Sequence, residues 1–257
     1  MARTRSAAGA RTAERPLLAR PAARVSLGEV VAERLREAIL NSELLPGQHL
    51  REEQISERLE VSRGPVRDAF LILAGEGLVR LSPHRGATVA ELSIEDFGEV
   101  YSLRSAIEEL AVRLAIRRHE AADLETLDRS LSELRSGLRR KLAPQEAARL
   151  DVNFHDGIFR AAHHNRLYKS WSTIRMQVHW FLLLRTVVDQ EWRDSMVQNH
   201  MRILDLIRTG DEAEAVAAVG DHILQAYRRI CGELIDQENG PESGQQARLR
   251  ADSYLLA

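Results

Sequence analysis

Residues 45–79, LPGQHLREEQISERLEVSRGPVRDAFLILAGEGLV, decide the fold of the first part of the chain. Two apolar residues four positions apart predict a short helix over 52–59. Ser62 can cap the N-terminus of a further helix, which we expect to end near Gly75. Two helices separated by so short a turn indicate a helix-turn-helix.

The segment before this stretch supplies one more helix, and the segment after it supplies a hairpin. The apolar face of the earlier helix consists of Val30, Val31, Leu35, Ala38 and Ile39. Residues 78–81 and 87–89 flank a turn that contains Pro and Gly, which predicts two short strands that form a wing. We therefore predict a winged helix-turn-helix DNA-binding domain over residues 25–90.

A helix-turn-helix places the N-terminal residues of its recognition helix in the major groove of double-stranded DNA. The candidate DNA-binding residues are Ser62, Arg63, Gly64, Pro65 and Arg67 on this helix, and His84, Arg85 and Gly86 at the tip of the wing. Each arginine of the helix can bind guanine through two hydrogen bonds or clamp a phosphate. The alternative is an ordinary surface helix and hairpin that bind no DNA. This alternative stays open because residues 25–90 hold eight Arg against ten acidic residues and so carry no net positive charge.

The rest of the chain has the composition of a helical bundle. From residue 84 to residue 239 there is one proline, Pro144, while Leu, Ala, Arg and Glu dominate. Ser93 and Asp96 form a capping-box pattern at the start of the first helix. Breaks in the apolar periodicity predict about six helices, so we expect an all-α domain over residues 91–236 and a mostly α fold class.

Charge and cysteine content exclude several classes of protein. The 257 residues carry 36 Lys and Arg against 38 Asp and Glu, so any affinity for nucleic acid must come from a local surface. Residues 1–24 hold six Arg and one Glu and predict a disordered basic arm, while residues 237–257 predict a flexible tail.

The single cysteine, Cys231, excludes an intrachain disulfide framework. The longest uncharged apolar stretch, residues 176–184, is too short to span a bilayer, so we expect a cytoplasmic protein with no membrane partner.

Four side chains of the second half have the spacing of metal ligands. Asp151 and His155 stand at i and i+4, so both project from one face of a helix. His200 lies ten residues before Gly210 and His222 lies twelve after it, so an antiparallel hairpin would place the two rings level with each other. This donor set favours Zn²⁺, and Ni²⁺ and Mn²⁺ remain open. The alternative is a pair of core or solvated side chains that binds no metal.

The sequence resembles a known family in both halves. Residues 45–79, followed by RGATV at 85–89, closely resemble the winged helix-turn-helix of the GntR family of bacterial transcription regulators, most specifically in VSRGPVR and EGLV. The helical half is similar to the FCD effector domain of the FadR-like subfamily through YSLRSAIEELA at 101–111, DVNFH at 151–155 and one His on each of the last two helices. The resemblance implies a homodimer that binds a palindromic operator and responds to a small metabolite.

The resemblance also implies roles for individual residues. Asp151, His155, His200 and His222 match the metal ligands of the family. Arg104 is similar in position to an arginine that the family places near its ligand, which makes it the candidate effector-binding residue, paired with a carboxylate. The alternative for Arg104 is a salt bridge with Glu108 at i+4.

We therefore expect a metabolite-responsive transcription regulator, acting as a repressor, with a small organic-acid effector sensed at a metal site. An alternative from another class is a metal-dependent hydrolase or lyase with an accessory DNA-binding-like domain. The sequence disfavours this alternative, because no Asp or Glu stands at a spacing typical of a general base beside the metal, as in HExxH. No catalytic residue is predicted. A purely structural metal in a regulator that senses nothing is a third hypothesis.

Overall fold

The structure is a computed structural model of two domains, and its fold class is mostly α, as predicted. It describes residues 25–82, 86–91, 93–140, 142–183 and 190–231, with the backbone alone for residues 190–194. The predicted arm over 1–24 and the predicted tail over 237–257 lie outside these ranges. Among the helices described, none has the length and apolar content to cross a bilayer.

The first domain is a winged helix-turn-helix. Its elements are α1 (Leu27–Leu40), β1 (His49–Leu50), α2 (Glu52–Leu59), α3 (Arg63–Gly75), β2 (Val79–Ser82) and β3 (Gly86–Val89). The three strands form an antiparallel sheet in the order β1-β3-β2. Helix α1 begins at a capping box in which Ser26 and Glu29 bind each other's backbone N–H. The predicted helix over 52–59 has these bounds in the structure.

Two details of this domain differ from the expectations. Val30 does not belong to the buried face of α1, because it is 39% exposed while Val31 and Leu35 are buried. Ser62 occupies the N-cap position of α3 with extended backbone, but its side chain makes no capping hydrogen bond. The strand β1 was not anticipated, because two residues are too few to show any alternation.

In its described residues, the second domain is a bundle of six helices, in line with the expected number of about six. They are α4 (Ile94–Arg118), α5 (Ala121–Arg139), α6 (Pro144–Ala161), α7 (Asn165–Leu183), α8 (Gln190–Thr209) and α9 (212–231). The predicted capping box of Ser93 and Asp96 opens α4. The core includes the stacked rings of Phe97 and Tyr227, whose centroids are 5.0 Å apart, and the fully buried Trp171.

Helix α7 belongs to the cores of both domains. Its Met176 and Trp180 are buried within the apolar cluster of the winged domain, beside residues of α1, α3 and the sheet. The side-chain amide of Gln177 donates to the carbonyl oxygen of Glu76 at 3.4 Å. Glu76 in turn accepts two hydrogen bonds from Arg36 of α1. The bundle is thus joined to the winged domain through packed side chains as well as through the chain.

Candidate metal centre and DNA-contacting surface

The four predicted metal ligands meet in the interior of the bundle. Asp151 and His155 come from adjacent turns of α6, His200 comes from α8 and His222 comes from α9. All four are buried, and the two histidines of α6 and α8 have no exposed surface. One donor atom from each residue can be chosen so that all four atoms lie within 4.8 Å of one another. Helices α8 and α9 form a hairpin around Gly210. This hairpin places His200 and His222 side by side, with ring centroids 4.6 Å apart.

The distances between donor atoms fit a common small cation. The Nε2 atom of His155 lies 3.4 Å from Nε2 of His200 and 3.3 Å from Nε2 of His222. An Oδ1 atom of Asp151 lies 3.4 Å from Nε2 of His200. Two nitrogen ligands of a tetrahedral Zn²⁺, each at about 2.0–2.1 Å from the ion, are about 3.3 Å apart. The donor chemistry and the spacing of these four residues could therefore hold a divalent metal ion.

Two neighbours orient the imidazoles of this cluster. Nδ1 of His155 lies 2.7 Å from Oε2 of Glu108, and Nδ1 of His200 lies 2.7 Å from the carbonyl oxygen of Met196. Neither oxygen can donate, so each Nδ1 carries the proton and donates it. Each Nε2 then presents a lone pair toward the centre, which is the tautomer that ligates a metal.

Arg104 joins the cluster from α4. Its Nε donates to Oε1 of Glu108 at 2.6 Å, and its Nη2 donates to Nε2 of His155 at 2.9 Å. The alternative predicted for Arg104, a salt bridge with Glu108, is formed, and the guanidinium also reaches the centre. Because Nη2 uses the lone pair that a cation would take, Arg104 must give up this contact when a cation binds.

Glu108 was not among the predicted site residues, although it contacts both Arg104 and His155. Burial by itself disfavours the ionised carboxylate, but Arg104 and His155 outweigh burial and lower the pKa of Glu108 to about 2. The same carboxylate raises the pKa of Arg104 against the effect of burial. The one sequence signal for Glu108 is its i+4 spacing from Arg104, since its contact with His155 joins residues 47 positions apart.

Burial also sets the charge of a ligand histidine. Desolvation lowers the pKa of His200 to about 4, although the nearby carboxylate of Asp151 opposes the shift. His200 is therefore neutral near pH 7 and keeps its lone pair available. A neutral imidazole is the form that a metal requires.

A small cavity of about 40 Å³ opens beside the cluster. Its walls include Arg104, Asp151, His222, Asn199, Gln225 and Arg229. One water molecule needs about 10–15 Å³ measured in this way, so the cavity has room for about three. A ligand placed here would reach both the guanidinium and the ligand atoms of the centre.

The predicted DNA-contacting residues of α3 form an exposed patch on the winged domain. Ser62, Arg63, Gly64 and Arg67 are exposed, and Pro65 is half-buried in the first turn. A Cβ atom at Gly64 would meet nothing within 4 Å, so the surface is open at this position. Both arginines are paired with carboxylates of α2.

The wing gives a different result. His84 and Arg85 lie outside the described residues. Gly86 has a φ of +94°, and a Cβ atom there would lie 2.2 Å from the carbonyl oxygen of Leu50. The pairing of β1 with β3 therefore accounts for a glycine at this position without any DNA contact.

Comparison with known proteins assigns both domains. Residues 27–89 match the family described as "Bacterial regulatory proteins, gntR family", and residues 99–225 match the FCD domain. The HTH-type transcriptional repressor RspR of Escherichia coli (strain K12) is 33% identical over 80% of this chain and 88% of its own length. The gluconate operon transcriptional repressor of Bacillus subtilis (strain 168) is 29% identical over 74% of this chain and 79% of its own length.

Solved structures show the same fold. E. coli McbR/YncC superposes with a TM-score of 0.66 and 22% identity, covering 80% of this chain and 98% of the other. A transcriptional regulator from Rhodococcus sp. RHA1 superposes with a TM-score of 0.65 and 24% identity, covering 80% and 97%. The family consists of transcription regulators rather than enzymes, so the hydrolase or lyase alternative is not retained. The chain belongs to the gntR family of bacterial regulatory proteins, in the group whose second domain is an FCD domain.

Proposed function

We propose that this protein is a dimeric repressor that binds a palindromic operator and senses a small organic acid at a divalent-metal site, most favourably Zn²⁺, in its helical domain. The observation that carries the proposal is the cluster of Asp151, His155, His200 and His222 with a cavity beside it. Two sequence relatives are named as transcriptional repressors, which supports repression rather than activation.

The cluster and its surroundings fit a carboxylate effector. A bound Zn²⁺ would supply positive charge and, by expanding from four ligands to five, one coordination position for an oxygen of the effector. Arg104 lines the same cavity and can donate two hydrogen bonds to one carboxylate. When its Nη2 leaves His155, this guanidinium can turn to the effector while its Nε stays on Glu108. The cavity volume of about 40 Å³ favours an acid of few heavy atoms.

DNA binding requires the exposed patch at the start of α3. Arg63 and Arg67 lie one turn apart on this helix, so both can reach base edges in one major groove. A two-fold dimer presents two such helices, and the operator then has matching half-sites.

The apolar stripe on α4 supports a dimer contact at that helix. Leu103 and Leu110 are 44% and 43% exposed, and Ile107 and Leu114 are only partly buried. These four residues follow the spacing i, i+4, i+7 and i+11, which is the a/d spacing of two helices that pack side by side. We place the contact between protomers on this stripe.

Helix α7 provides a route from the metal centre to the winged domain. Asp156, next to His155 on α6, accepts hydrogen bonds from Trp171 at 2.5 Å and Arg175 at 2.7 Å. The next residue of α7, Met176, is buried in the core of the winged domain. A change in how α6 packs at the centre is thereby transmitted to the winged domain, and it alters the spacing of the two recognition helices.

The test uses the double variant His200→Ala, His222→Ala of the full chain. A matched control, His119→Ala, His164→Ala, removes the same number of imidazoles away from the cluster. Metal content is measured by elemental analysis. Effector binding is measured as a thermal shift against a library of small carboxylic acids, and DNA binding is measured on a duplex selected from a random library by the unaltered protein.

We expect the double variant to lose the metal and the thermal shift, while the control keeps both. Stoichiometric metal in the double variant would reject the ligand set. Loss of metal with a normal effector response in DNA binding would show that the ion is structural, and the sensing proposal would fail.

A further inference from the structure

Both candidate DNA-contacting arginines are held by carboxylates of the preceding helix. Nη2 of Arg63 lies 2.5 Å from Oε1 of Glu53, and Nε of Arg67 lies 2.7 Å from Oε2 of Glu52. The two glutamates form the first turn of α2, so one turn of acidic residues faces the first turn of the recognition helix. The charge of each of these two arginines is thus matched by a negative one.

The stability of the fold does not account for these pairs. The side chains of Arg63, Glu53 and Arg67 are 56%, 65% and 64% exposed, and that of Glu52 is 25% exposed. Pairs so open to solvent contribute little to folding. Acidic residues do favour the N-terminus of α2, but this effect does not require either carboxylate to contact an arginine.

The pairs leave the arginines able to read a base. A guanidinium has five N–H donors, and two are enough for guanine O6 and N7. Arg67 uses its Nε in the pair, so both of its Nη groups stay free. Arg63 uses one N–H of Nη2, so four donors stay free. A carboxylate behind each guanidinium therefore fixes its direction without occupying the donors that reach a base.

The same carboxylates oppose contact with phosphates. Binding to DNA of arbitrary sequence depends on neutralising phosphate charge. A neutral Arg–Glu pair offers no net charge for this. Within the described part of this surface, Glu52 and Glu53 cancel two of the three positive charges that Arg51, Arg63 and Arg67 contribute, so one positive charge is left.

We infer that Glu52 and Glu53 are specificity-determining residues, which orient Arg67 and Arg63 for base edges and weaken binding to DNA of arbitrary sequence. The inference rests on the proposed role of the two arginines as DNA contacts. The glutamates are positioning residues, since they act through the arginines rather than on the bases.

The experiment compares Glu52→Gln and Glu53→Gln with Glu52→Ala and Glu53→Ala in the full chain. Gln removes the charge but keeps an oxygen that can accept from arginine, whereas Ala removes both. The matched control is Glu57→Gln, an exposed position on the same helix that makes no ion pair among the described residues. Fluorescence anisotropy at several salt concentrations measures binding to the selected duplex and to a scrambled duplex of equal composition.

Each Gln variant should bind the scrambled duplex about two- to fivefold more tightly, the range of an exposed pair. For that duplex, the slope of log affinity against log salt concentration should steepen by up to about one, because a carboxylate no longer cancels the charge of the arginine. Affinity for the selected duplex should stay unchanged in the Gln variants and fall in the Ala variants. The ratio of the two affinities therefore drops, and in Glu57→Gln it stays constant.

The same substitutions in an Arg67→Ala protein distinguish the proposed DNA contact of Arg67 from the proposed specificity role of Glu52. In Arg67→Ala, the further change Glu52→Gln should leave the affinity ratio unaltered, because the arginine it acts through is gone. If Arg67→Ala loses affinity as expected but Glu52→Gln keeps the ratio of the unaltered protein, the inference alone is rejected. If Arg67→Ala binds the selected duplex normally, the contact role itself is rejected, and the inference with it.

Discussion

Replacing Glu108 by Gln tests the link between the buried carboxylate, the arginine and the metal ligand. The carboxylate accepts from Arg104 on one oxygen and from His155 on the other. An amide has one oxygen and one NH₂ group, so it can satisfy only one of these donors. In one orientation, the amide oxygen accepts from Arg104 and the NH₂ group faces Nδ1 of His155. Nδ1 must then accept, so the imidazole proton moves to Nε2, where it blocks a metal. In the other orientation, the amide oxygen accepts from His155, and the guanidinium of Arg104 faces an NH₂ group instead of an acceptor.

The magnitude follows from complete burial of both groups. Removing one partner of a buried ion pair costs about 3–5 kcal/mol of folding stability, because the other charge is left uncompensated. Losing the hydrogen bond that orients a ligand histidine lowers metal affinity about 10–100-fold. Urea unfolding in a chelator measures the first effect, and competition with a chromophoric chelator measures the second.

The matched control is Glu109→Gln, the same change at the next residue of α4, whose carboxylate lies 3.4 Å from the hydroxyl of Ser105. We expect this control to unfold and bind metal like the unaltered protein. If Glu108→Gln also does so, Glu108 neither holds Arg104 nor sets the tautomer of His155, and the description of the centre is wrong.

Further outcomes are expected from other parts of the structure. Arg63→Ala and Arg67→Ala should each cost about 1–3 kcal/mol in affinity for the selected duplex without changing the melting temperature; equal affinity at matched salt would count against the recognition helix. Leu110→Glu should produce a monomer in sedimentation at micromolar concentration, and a persistent dimer would move the contact away from α4. In a chelator, stability should rise with pH between about 4 and 6.5, because His200 has a pKa of about 4 when folded and 6.5 when unfolded, so the unfolded chain binds the extra proton. His200→Gln should flatten this rise, and an unchanged profile would contradict the neutral buried imidazole.

Local patterns were enough to predict the elements of the fold. The helix over 52–59, the capping box of Ser93 and Asp96, and six helices in the second domain all follow from spacing within a few residues. The grouping of the four candidate metal ligands was also within reach, since two of them share one helix face and the other two lie at nearly equal distances from one turn. These features depend on helix geometry, which the sequence expresses directly.

The features that were missed depend on contacts between distant parts of the chain. Strand β1 exists because His49 and Leu50 pair with β3 nearly forty positions later. Glu108 reaches His155 only because α4 packs against α6. Met176 and Trp180 looked like ordinary apolar positions of a bundle helix, and nothing in their spacing indicates that they are buried against another domain.

The shared position of α7 limits how freely the two domains can be exchanged between regulators. A winged domain taken from a relative would have to receive Met176 and Trp180 in a matching hollow. It would also need a carbonyl oxygen at the position of that of Glu76, which accepts a hydrogen bond from the side chain of Gln177. Without these, a chimera would expose an aromatic ring to water at the junction and lose the packed contact between the two domains. The two domains can therefore be moved into another regulator only together, or after redesign of the face of α7 that carries Met176, Gln177 and Trp180.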